Sequence, residues 1–186
     1  MSSLFKKIIL KIIIYSRVLY YDFLSEKKIS CNKLQPLQVK GEGTIELNKN
    51  VTFGVENSNY FFSSYAYIEA RGENSLIEIG ESCIFNNSAT IIADHEHIYI
   101  GKNCIFGTNI EILNSNFHIL YKQKKIKRDK VIIGNNVFVG NNVKILKGSI
   151  IEDNATIANG SIVCSHIPMG SIAAGIPAKV IKNEND

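Results

Sequence analysis

Histidines are the side chains of this sequence that are best suited to moving a proton near neutral pH. Imidazole titrates at about pH 6.5, so the same ring can accept and release a proton under working conditions. The chain contains four of them: His95, His97, His118 and His166. His118 ends the stretch "LNSNFH", and a histidine held in place there would act as a general base.

Two other patterns around His118 are compatible with ligand binding. His95 and His97 stand two residues apart, which puts both on one side of a strand, like a pair of metal ligands. The plainer interpretation of His97 is an exposed polar corner. The segment "YKQKKIKRDK" after His118 holds six basic residues and one acid. It is either a solvated, mobile loop or an electrostatic guide for acidic and phosphorylated ligands.

A six-residue repeat predicts the element that carries these residues. Aliphatic residues recur at intervals of six, and small or aliphatic residues follow four positions after them. The first set is Ile133, Val139, Ile145, Ile151, Ile157 and Val163; the second is Val137, Val143, Ser149, Ala155 and Ser161. Six is no helix period but suits strands, and the frequent Gly and Asn residues mark corners. The pattern predicts a β-helix over about residues 45–175, with 31–44 as a linker.

Interruptions of the repeat predict where side chains leave the β-helix. Ile79, Phe85 and Ile91 form one coil, and the count resumes at Ile100 and again at Ile133. If three hexads make one coil, the two insertions both follow the third face and project from one edge. Insertions gathered on one side of a repeat protein favour a working face there. The same count puts His97 one strand below His118.

Composition and charge exclude several classes. With 186 residues and 45% apolar content the chain can form one domain with a sizeable core. Four cysteines are too few for a disulfide framework, and Cys83 and Cys104 fill small inward positions of the repeat, so we expect them buried and reduced. Residues 1–40 carry a net charge of +6, which leaves −2 for the rest. A uniformly basic nucleic-acid binder is therefore not expected.

The basic, apolar start of the chain predicts an amphipathic helix within residues 1–30. Lys11 and Arg17 interrupt the apolar run, so a transmembrane span is not expected. The helix would either lie on an anionic membrane surface or cap the first coil of the β-helix, and one helix could do both.

The repeat together with "IAAGIPAKVIK" near the end of the chain resembles the hexapeptide-repeat acyltransferases of the sugar O-acetyltransferase type, those acting on galactosides, maltose, capsule or lipopolysaccharide. The resemblance covers about residues 45–182. It implies an all-β, left-handed parallel β-helix with a short N-terminal amphipathic helix and one extended loop, residues 113–130. It also implies a homotrimer in which acetyl-CoA and a saccharide acceptor meet between neighbouring subunits.

The resemblance assigns His118 as the catalytic base, because the family often reads Asp-Ser-x-x-His at the start of this loop. Ser115 and His118 match that motif, whereas Asn114 replaces the Asp. Asn114 can orient the imidazole but cannot stabilise imidazolium as a carboxylate would. His97 is a second supporting residue, in contact with the acceptor or tuning the base. His166 replaces an acid common in the family and receives no role.

Six residues are assigned to acetyl-CoA by the same resemblance: Asn141, Asn159, Cys164, Ser165, Lys179 and Lys182. Asn141 stands where the family contacts the pantetheine arm, and Asn159 and Cys164 match later contacts. Ser165 stands where a lysine is common, which weakens that contact. Lys179 and Lys182 match basic positions that meet the nucleotide phosphates. No metal ligand is assigned.

The function expected is therefore acetyl-CoA-dependent O-acetylation of a bacterial surface sugar by a cytoplasmic enzyme, at the inner face of the membrane if its helix binds lipid. N-acetylation of a nucleotide-linked amino sugar is an alternative, since both reactions use one base. Carbonic anhydrases of the γ class share the fold and bind zinc through three histidines, but their spacing does not match residues 95, 97 and 118. A non-catalytic trimeric scaffold is the remaining alternative.

Overall fold

A computed structural model describes residues 3–183 of the chain, with one helix, α1 (Ser3–Leu24), ahead of the strands. The first strands in this range are β1 (Asn32–Lys33), β2 (Leu37–Lys40), β3 (Thr44–Leu47), β4 (Thr52–Phe53), β5 (Ala66–Arg71), β6 (Leu76–Ile79), β7 (Ile84–Phe85), β8 (Thr90–Asp94), β9 (His97–Ile100) and β10 (Ile105–Phe106). They continue as β11 (Glu111–Leu113), β12 (Val131–Ile133), β13 (Phe138–Val139), β14 (Lys144–Ile145), β15 (Ile150–Ile151), β16 (Thr156–Ile157), β17 (Ile162–Val163), β18 (His166–Ile167), β19 (Ile172–Gly175) and β20 (Ala178–Lys182).

The strands stack into three sheets, parallel except for β20, that form the sides of a prism. Sheet A has the order β1-β4-β7-β10-β13-β16-β19-β20, sheet B the order β17-β14-β11-β8-β5-β2, and sheet C the order β18-β15-β12-β9-β6-β3. The chain passes from A to B to C and back to A, so each circuit adds one strand to every sheet. The predicted left-handed parallel β-helix is confirmed.

The core consists of the residues that the six-residue count predicts to point inward. Ile91 pairs with Ile112, and Ile112 with Ile145, so the predicted column runs up sheet B. All the counted aliphatics between Ile133 and Val163 are buried, at 2% exposure or less, and no helix interrupts that stretch. The small residues four positions later are buried as well. A parallel strand with both its neighbours in register holds each side chain directly above the one in the coil below.

Aromatic rings and thiols fill the lower coils. Phe53, Phe85 and Phe106 stack inside sheet A, with ring centroids 4.9 and 4.4 Å apart and nearly parallel planes. Cys83 and Cys104 are fully buried and free, as predicted. Each thiol donates a hydrogen bond to a carbonyl oxygen of the next coil, Cys83 to Gly101 at 3.0 Å and Cys104 to Gly134 at 3.1 Å.

Three lines of turns connect the sheets. The A–B corner comprises residues 34–36, 54–65, 86–89, 107–110, 140–143 and 158–161; the B–C corner 41–43, 72–75, 95–96, 114–130, 146–149 and 164–165; the C–A corner 48–51, 80–83, 101–104, 134–137, 152–155 and 168–171. Asparagines with positive φ recur at these turns, for example Asn103, Asn136 and Asn154 on the C–A corner. Asn tolerates this conformation better than most residues, which is why it punctuates the repeat.

The first coil begins earlier than the sequence predicts. Residues 31–44 were expected to be a linker, yet β1 pairs with β4 and β2 pairs with β5. Leu37 and Val39 point inward from β2 and are fully buried. The count misses this coil because the long turn 54–65 on the A–B corner follows it and breaks the six-residue spacing.

One sheet edge is covered at each end of the prism. At the lower end α1 contacts β2, where the hydroxyl of Ser25 accepts a hydrogen bond from the Val39 N–H at 2.9 Å. Arg17 donates to the carbonyl oxygens of Phe61 and Ser64 at 2.8 and 2.7 Å. At the upper end β20 turns back antiparallel to β19. An edge strand that is covered in this way is protected from pairing with another chain.

Candidate active site

Charged and aromatic side chains from successive coils meet on the B–C corner. Arg71 ends β5 and Asp94 ends β8 directly above it in register. In the next coil β11 ends at Leu113, and the inserted loop 114–130 begins. Of the two predicted insertions, only 114–130 projects from the prism; the extra residues between Ile91 and Ile100 lengthen β8 and β9 and leave the two-residue turn 95–96, so the prediction that both project from this edge is wrong for the first.

Asp94 is a buried carboxylate that holds the two ends of the inserted loop together. Only 4% of its surface is exposed. Its Oδ2 accepts hydrogen bonds from the Ser115 hydroxyl at 2.7 Å and from Nε of Arg128 at 2.9 Å. Ser115 lies at the start of the loop and Arg128 near its end, and the two residues form an antiparallel bridge. Hydrogen bonds to a charged group inside a protein are stronger than neutral ones, so this carboxylate is a firm anchor.

Backbone hydrogen bonds close the same neck of the loop. The Asn116 N–H donates to the Lys127 carbonyl oxygen at 3.1 Å, and the Asp129 N–H donates to the Asn114 carbonyl oxygen at 3.0 Å. The loop is thus tied at its base before it reaches its exposed part.

His118 follows this neck directly. The Phe117 N–H donates to the Ser115 hydroxyl at 2.9 Å, and the His118 N–H donates to the Asn116 carbonyl oxygen at 2.7 Å. Phe117 has a φ of 57°, which is uncommon for a bulky residue and turns the chain sharply. The backbone of His118 is fixed by these contacts, while its side chain is exposed to solvent.

Arg71 supports the turn from below. Its guanidinium carbon lies 4.9 Å from the centre of the Phe117 ring, a cation–π contact. Arg71 also makes two hydrogen bonds to Glu69, at 3.0 and 2.8 Å, and these bonds are the main reason that the pKa of Arg71 is raised. Burial, followed by the neighbouring Glu69, raises the pKa of Tyr67 to about 12, so its hydroxyl stays protonated and donates to Glu69.

Asn114 is fully buried at the base of the inserted loop. Its Oδ1 accepts a hydrogen bond from the Asp94 N–H at 2.7 Å. Its Nδ2 is buried and has no hydrogen-bond partner among residues 3–183. A buried N–H donor without a partner lowers the stability of the fold, so we expect the Nδ2 of Asn114 to donate to the oxygen of a water or a ligand.

His97 does not stack beneath His118, contrary to the simple column count. His97 starts β9, and Val131 pairs with Ile98, so the chain returning from the loop lies above this strand. The six-residue count cannot be extended to His118, because β11 ends at Leu113 and His118 belongs to the inserted loop. Nδ1 of His97 lies 2.7 Å from the Tyr99 hydroxyl.

The remaining histidines are also engaged locally. Nε2 of His95 lies 3.9 Å from Asp94, and its ring covers Gly72. Nε2 of His166 lies 2.9 Å from Glu152, and this hydrogen bond is the main reason that the pKa of Glu152 is lowered. Within the described part of the chain no three His, Cys, Asp or Glu side chains are grouped as metal ligands.

The residues assigned to acetyl-CoA lie in three places. Cys164 and Ser165 are exposed on the B–C corner, above the inserted loop. Lys179 and Lys182 are exposed on β20, at the end of sheet A. Asn141 and Asn159 lie on the A–B corner. Their side-chain oxygens accept backbone N–H groups, from Thr108 at 2.8 Å and from Asn141 at 2.7 Å, so they also hold the coils together.

Sequence reasoning did not single out Asp94 or Arg71 as parts of this corner. The signal that marks Asp94 is a carboxylate at the end of the apolar stretch "TIIAD", next to an insertion. A charged residue there is buried only if a partner reaches it, and the partner Arg128 is 34 positions away.

Comparison with known proteins agrees with the fold and with the type of repeat. A family model described as bacterial transferase hexapeptide (six repeats) matches residues 130–165. Galactoside O-acetyltransferase of Escherichia coli K12 is 42% identical over 69 residues, which are 37% of this chain and 34% of that protein. WbbJ of the same strain, named as a candidate lipopolysaccharide biosynthesis O-acetyl transferase, is 26% identical over 81% of this chain and 77% of its own.

Solved structures show the same architecture. The polySia-specific acetyltransferase NeuO superimposes with a TM-score of 0.59 and 23% identity, covering 82% of this chain and 74% of its own. A galactoside acetyltransferase solved in complex with coenzyme A gives a TM-score of 0.51 and 28% identity, covering 75% and 64%. By its repeat and its prism, the chain is a bacterial transferase hexapeptide-repeat protein over residues 130–165 and is similar over a longer range to these acetyltransferases.

Proposed function

We propose that the chain is an acetyl-CoA-dependent O-acetyltransferase that acts on a hydroxyl of a bacterial surface saccharide. The observation that carries this proposal is His118, exposed on a backbone turn that the buried Asp94 anchors through Ser115. A base on a fixed support is what the attack of a hydroxyl on an acyl group requires. The match to galactoside O-acetyltransferase covers a third of that protein, and the match to WbbJ covers most of it, so the acceptor is inferred and not copied.

In this mechanism His118 takes the proton of the acceptor hydroxyl and later returns it to the leaving group. Acetyl-CoA, when bound, supplies the thioester carbonyl that the hydroxyl attacks. Asn114 is a candidate donor to the site, because its Nδ2 is buried without a partner among the described residues. Nδ1 of His97 is engaged by the Tyr99 hydroxyl, so its Nε2 is the ring atom left for a supporting contact.

The chain has side chains that fit the donor. The exposed ammonium groups of Lys179 and Lys182 on β20 suit phosphates as point charges. Cys164 and Ser165 lie at the same corner as the loop that carries His118. Asn141 and Asn159 commit their oxygens to the A–B corner, so only their amide nitrogens are suited to the pantetheine arm.

A homotrimer accounts for the placement of these residues. Asn141 and Asn159 lie on the A–B corner, whereas His118 lies on the B–C corner, with sheet B between them. A neighbouring copy would supply the second corner to each site. The outer face of sheet A favours such packing, because Ile84, Ile105 and Phe138 pair across it and are 38%, 47% and 48% exposed. An exposed apolar stripe of this kind is typical of an interface.

Helix α1 supports peripheral binding to an anionic membrane in addition to its contact with β2. Its outer face is apolar, with Ile8, Ile12, Tyr15, Leu19 and Phe23 all at least 49% exposed. These residues recur at intervals of three and four, so they lie on one side, and Lys7 and Lys11 flank them. This is the pattern of a helix that lies in a lipid interface with its lysines reaching the headgroups.

No helix among residues 3–183 is sufficiently long and apolar to span a bilayer. We propose that the protein is cytoplasmic and meets the membrane from its inner face through α1. Flotation with anionic liposomes at low salt tests this. We expect the full chain to float and the variant with Ile12→Asp and Leu19→Asp to stay in solution. Equal behaviour of the two would remove the membrane proposal.

The catalytic proposal is tested by an acceptor screen. Purified protein, acetyl-CoA and monosaccharides, oligosaccharides or polysaccharides are mixed, and thiol release and acceptor mass are followed together. We expect thiol release that depends on the acceptor and a mass gain of one acetyl group on a hydroxyl. Acetylation of an amine would favour the N-acetyltransferase, and no thiol release with any acceptor would favour the scaffold.

A further inference from the structure

The end of the inserted loop forms a cationic cavity that the proposed mechanism does not use. Its volume is about 420 Å3, and it is lined by Lys125, Ile126, Lys127, Arg128, Asp129 and Lys147. Four of these six residues are cations and one is an acid. Lys147 comes from the B–C corner of the next coil, so the cavity is built from two parts of the chain that the fold brings together.

Arg128 is fixed before any ligand arrives. Its Nε is bound to the buried Asp94, which is itself held by Ser115. Within residues 3–183 this is the one side-chain hydrogen bond that Arg128 makes. The rest of the guanidinium keeps its N–H donors, and 30% of the side chain is exposed. A planar donor group held in this way is suited to a carboxylate or a phosphate, because little freedom is lost on binding.

The lysines of the cavity have no acidic partner. Among the described residues, no ion pair involves Lys125, Lys127 or Lys147. Lysines without partners stay solvated unless an anion is present. The carboxylate of Asp129 offsets only part of their charge, so the local potential stays positive.

The cavity is adjacent to His118 through the neck of the loop. The Lys127 carbonyl oxygen accepts the Asn116 N–H, and Asn116 lies two residues before His118. Lys179 and Lys182, the cations proposed for the donor phosphates, lie on β20 at the end of sheet A and not on this corner. The cavity therefore adjoins the neck that carries His118 and is separate from the cations proposed for the donor phosphates on the same chain.

We propose that this cavity binds the acidic group of the acceptor, so that the preferred acceptor is an anionic saccharide bearing a carboxylate or a phosphate. The inference rests on the proposed function. Arg128 and the three lysines hold the acidic group, and the sugar extends along the neck until a hydroxyl reaches His118.

Binding of sugars to the full chain in the absence of acetyl-CoA tests the cavity independently of turnover. Calorimetric titrations would compare galacturonic acid with its uncharged methyl ester, and galactose 6-phosphate with galactose. The two acids distinguish a preference for carboxylate from one for phosphate. We expect at least about tenfold tighter binding of one acid than of its neutral partner, declining as salt is added. Equal affinity within both pairs would overturn the proposal.

Single substitutions test whether the residues of the cavity are responsible for the tighter binding of the acidic sugar. Lys127→Gln and Lys147→Gln should each weaken binding of the acid by about threefold and leave the neutral sugar unchanged. The matched control is Lys122→Gln, since Lys122 belongs to the same loop but contacts the Tyr121 ring and does not line the cavity. An equal loss in the control would show that the general charge of the loop is responsible and would overturn the site.

Steady-state kinetics then distinguish an effect on acceptor binding from an effect on donor binding. The two cavity variants should raise KM for the acidic acceptor and leave KM for acetyl-CoA unchanged. A rise in KM for acetyl-CoA instead would assign the cavity to the donor phosphates and overturn the proposal. If the acid binds as expected but no acceptor is acetylated, the anion site stands and the proposed function fails.

Discussion

The C–A and B–C corners of the prism are built from the same repeat but are used differently. Every turn on the C–A corner is four residues long, from 48–51 to 168–171. The turns on the B–C corner range from two residues, 95–96, to the seventeen of 114–130. On the C–A corner polar side chains hold the next coil: Asn135 accepts the Lys102 N–H, and Asp153 accepts the Asn135 N–H. On the B–C corner they hold a loop, and the exposed His118 lies next to its base.

The difference shows how a repeat protein acquires a site. A turn of constant length commits its polar groups to stacking, so none is left for a ligand. A turn of variable length breaks the stacking, and its side chains need other partners. Here Asp94 binds Arg128, and Arg71 contacts the Phe117 ring. These contacts fix the turn that precedes His118.

The largest effect that would sharpen this comparison is expected from His118→Ala. Loss of a general base lowers turnover by about 100-fold or more, while fold and acetyl-CoA affinity should be largely unchanged. Steady-state kinetics with the best acceptor from the screen measure it. His97→Ala is the control and should cost far less. Similar losses in both variants would indicate a shared role, and normal turnover without His118 would remove the mechanism.

Substitutions on the C–A corner should lower the stability of the protein and leave its activity unchanged. A Cβ on Gly101 would lie 2.5 Å from the Gly134 carbonyl oxygen, so Gly101→Ala forces two coils apart. We expect a loss of about 1–3 kcal/mol in the free energy of unfolding, measured with denaturant. Gly160→Ala on the A–B corner is the control. Its φ of 70° is strained for Ala but nothing lies within 4 Å, so the loss should be about 1 kcal/mol. Equal losses would contradict the close packing of this corner.

Asp94→Asn tests whether the neck of the loop positions His118. The substitution weakens the bond to Arg128, so residues 116–127 should exchange amide hydrogens faster, and kcat should fall about tenfold with little change in KM for acetyl-CoA. Glu73→Gln, which removes an exposed carboxylate of the same corner, should change neither quantity. Faster exchange with unchanged kcat would mean that the neck is structural only.

The smallest effect concerns pH and the C–A corner. Hydrogen bonds from Asn135 lower the pKa of Asp153. A lowered pKa in the folded state gives stability that is present above the unfolded pKa of about 3.9 and is lost as pH falls through the folded value. As the pH is lowered from 6 to 2, the melting temperature of Asp153→Asn should fall less steeply than that of the unchanged protein. The difference in the free energy of unfolding should be about 0.5 kcal/mol or less, because the carboxylate is partly solvated. Parallel curves would rule out this contribution.

The regular part of the fold could be predicted because its cause is local. Each inward aliphatic from Ile133 to Val163 is fixed by its place in a hexad, and Cys83 and Cys104 follow from the same count. The first coil escaped detection because the turn 54–65 separates β4 from β5 and shifts the count.

The site could be predicted only as far as sequence-local motifs reach. The assignment of His118 rests on its motif and stays a prediction, and the corner where it lies follows from the insertion between Ile112 and Ile133. The contacts that place it are long-range: Asp94 meets Arg128, and Arg71 meets the Phe117 ring. No spacing in the sequence specifies which residues of a seventeen-residue loop return to the strand end. Asn141 and Asn159 illustrate the opposite case, since the structure adds a role in the corner to one that the resemblance implied.

The bridge between Ser115 and Arg128 makes the inserted loop a separable module. Since its two ends are joined at the base, changes in its length cost little closure entropy, roughly 0.6 kcal/mol for each doubling. Each coil of the prism rests only on its neighbours, so a new loop grafted above the bridge would not disturb the core. Under the proposed function, acceptor preference could therefore be changed by exchanging this one segment while the rest of the chain stays unchanged.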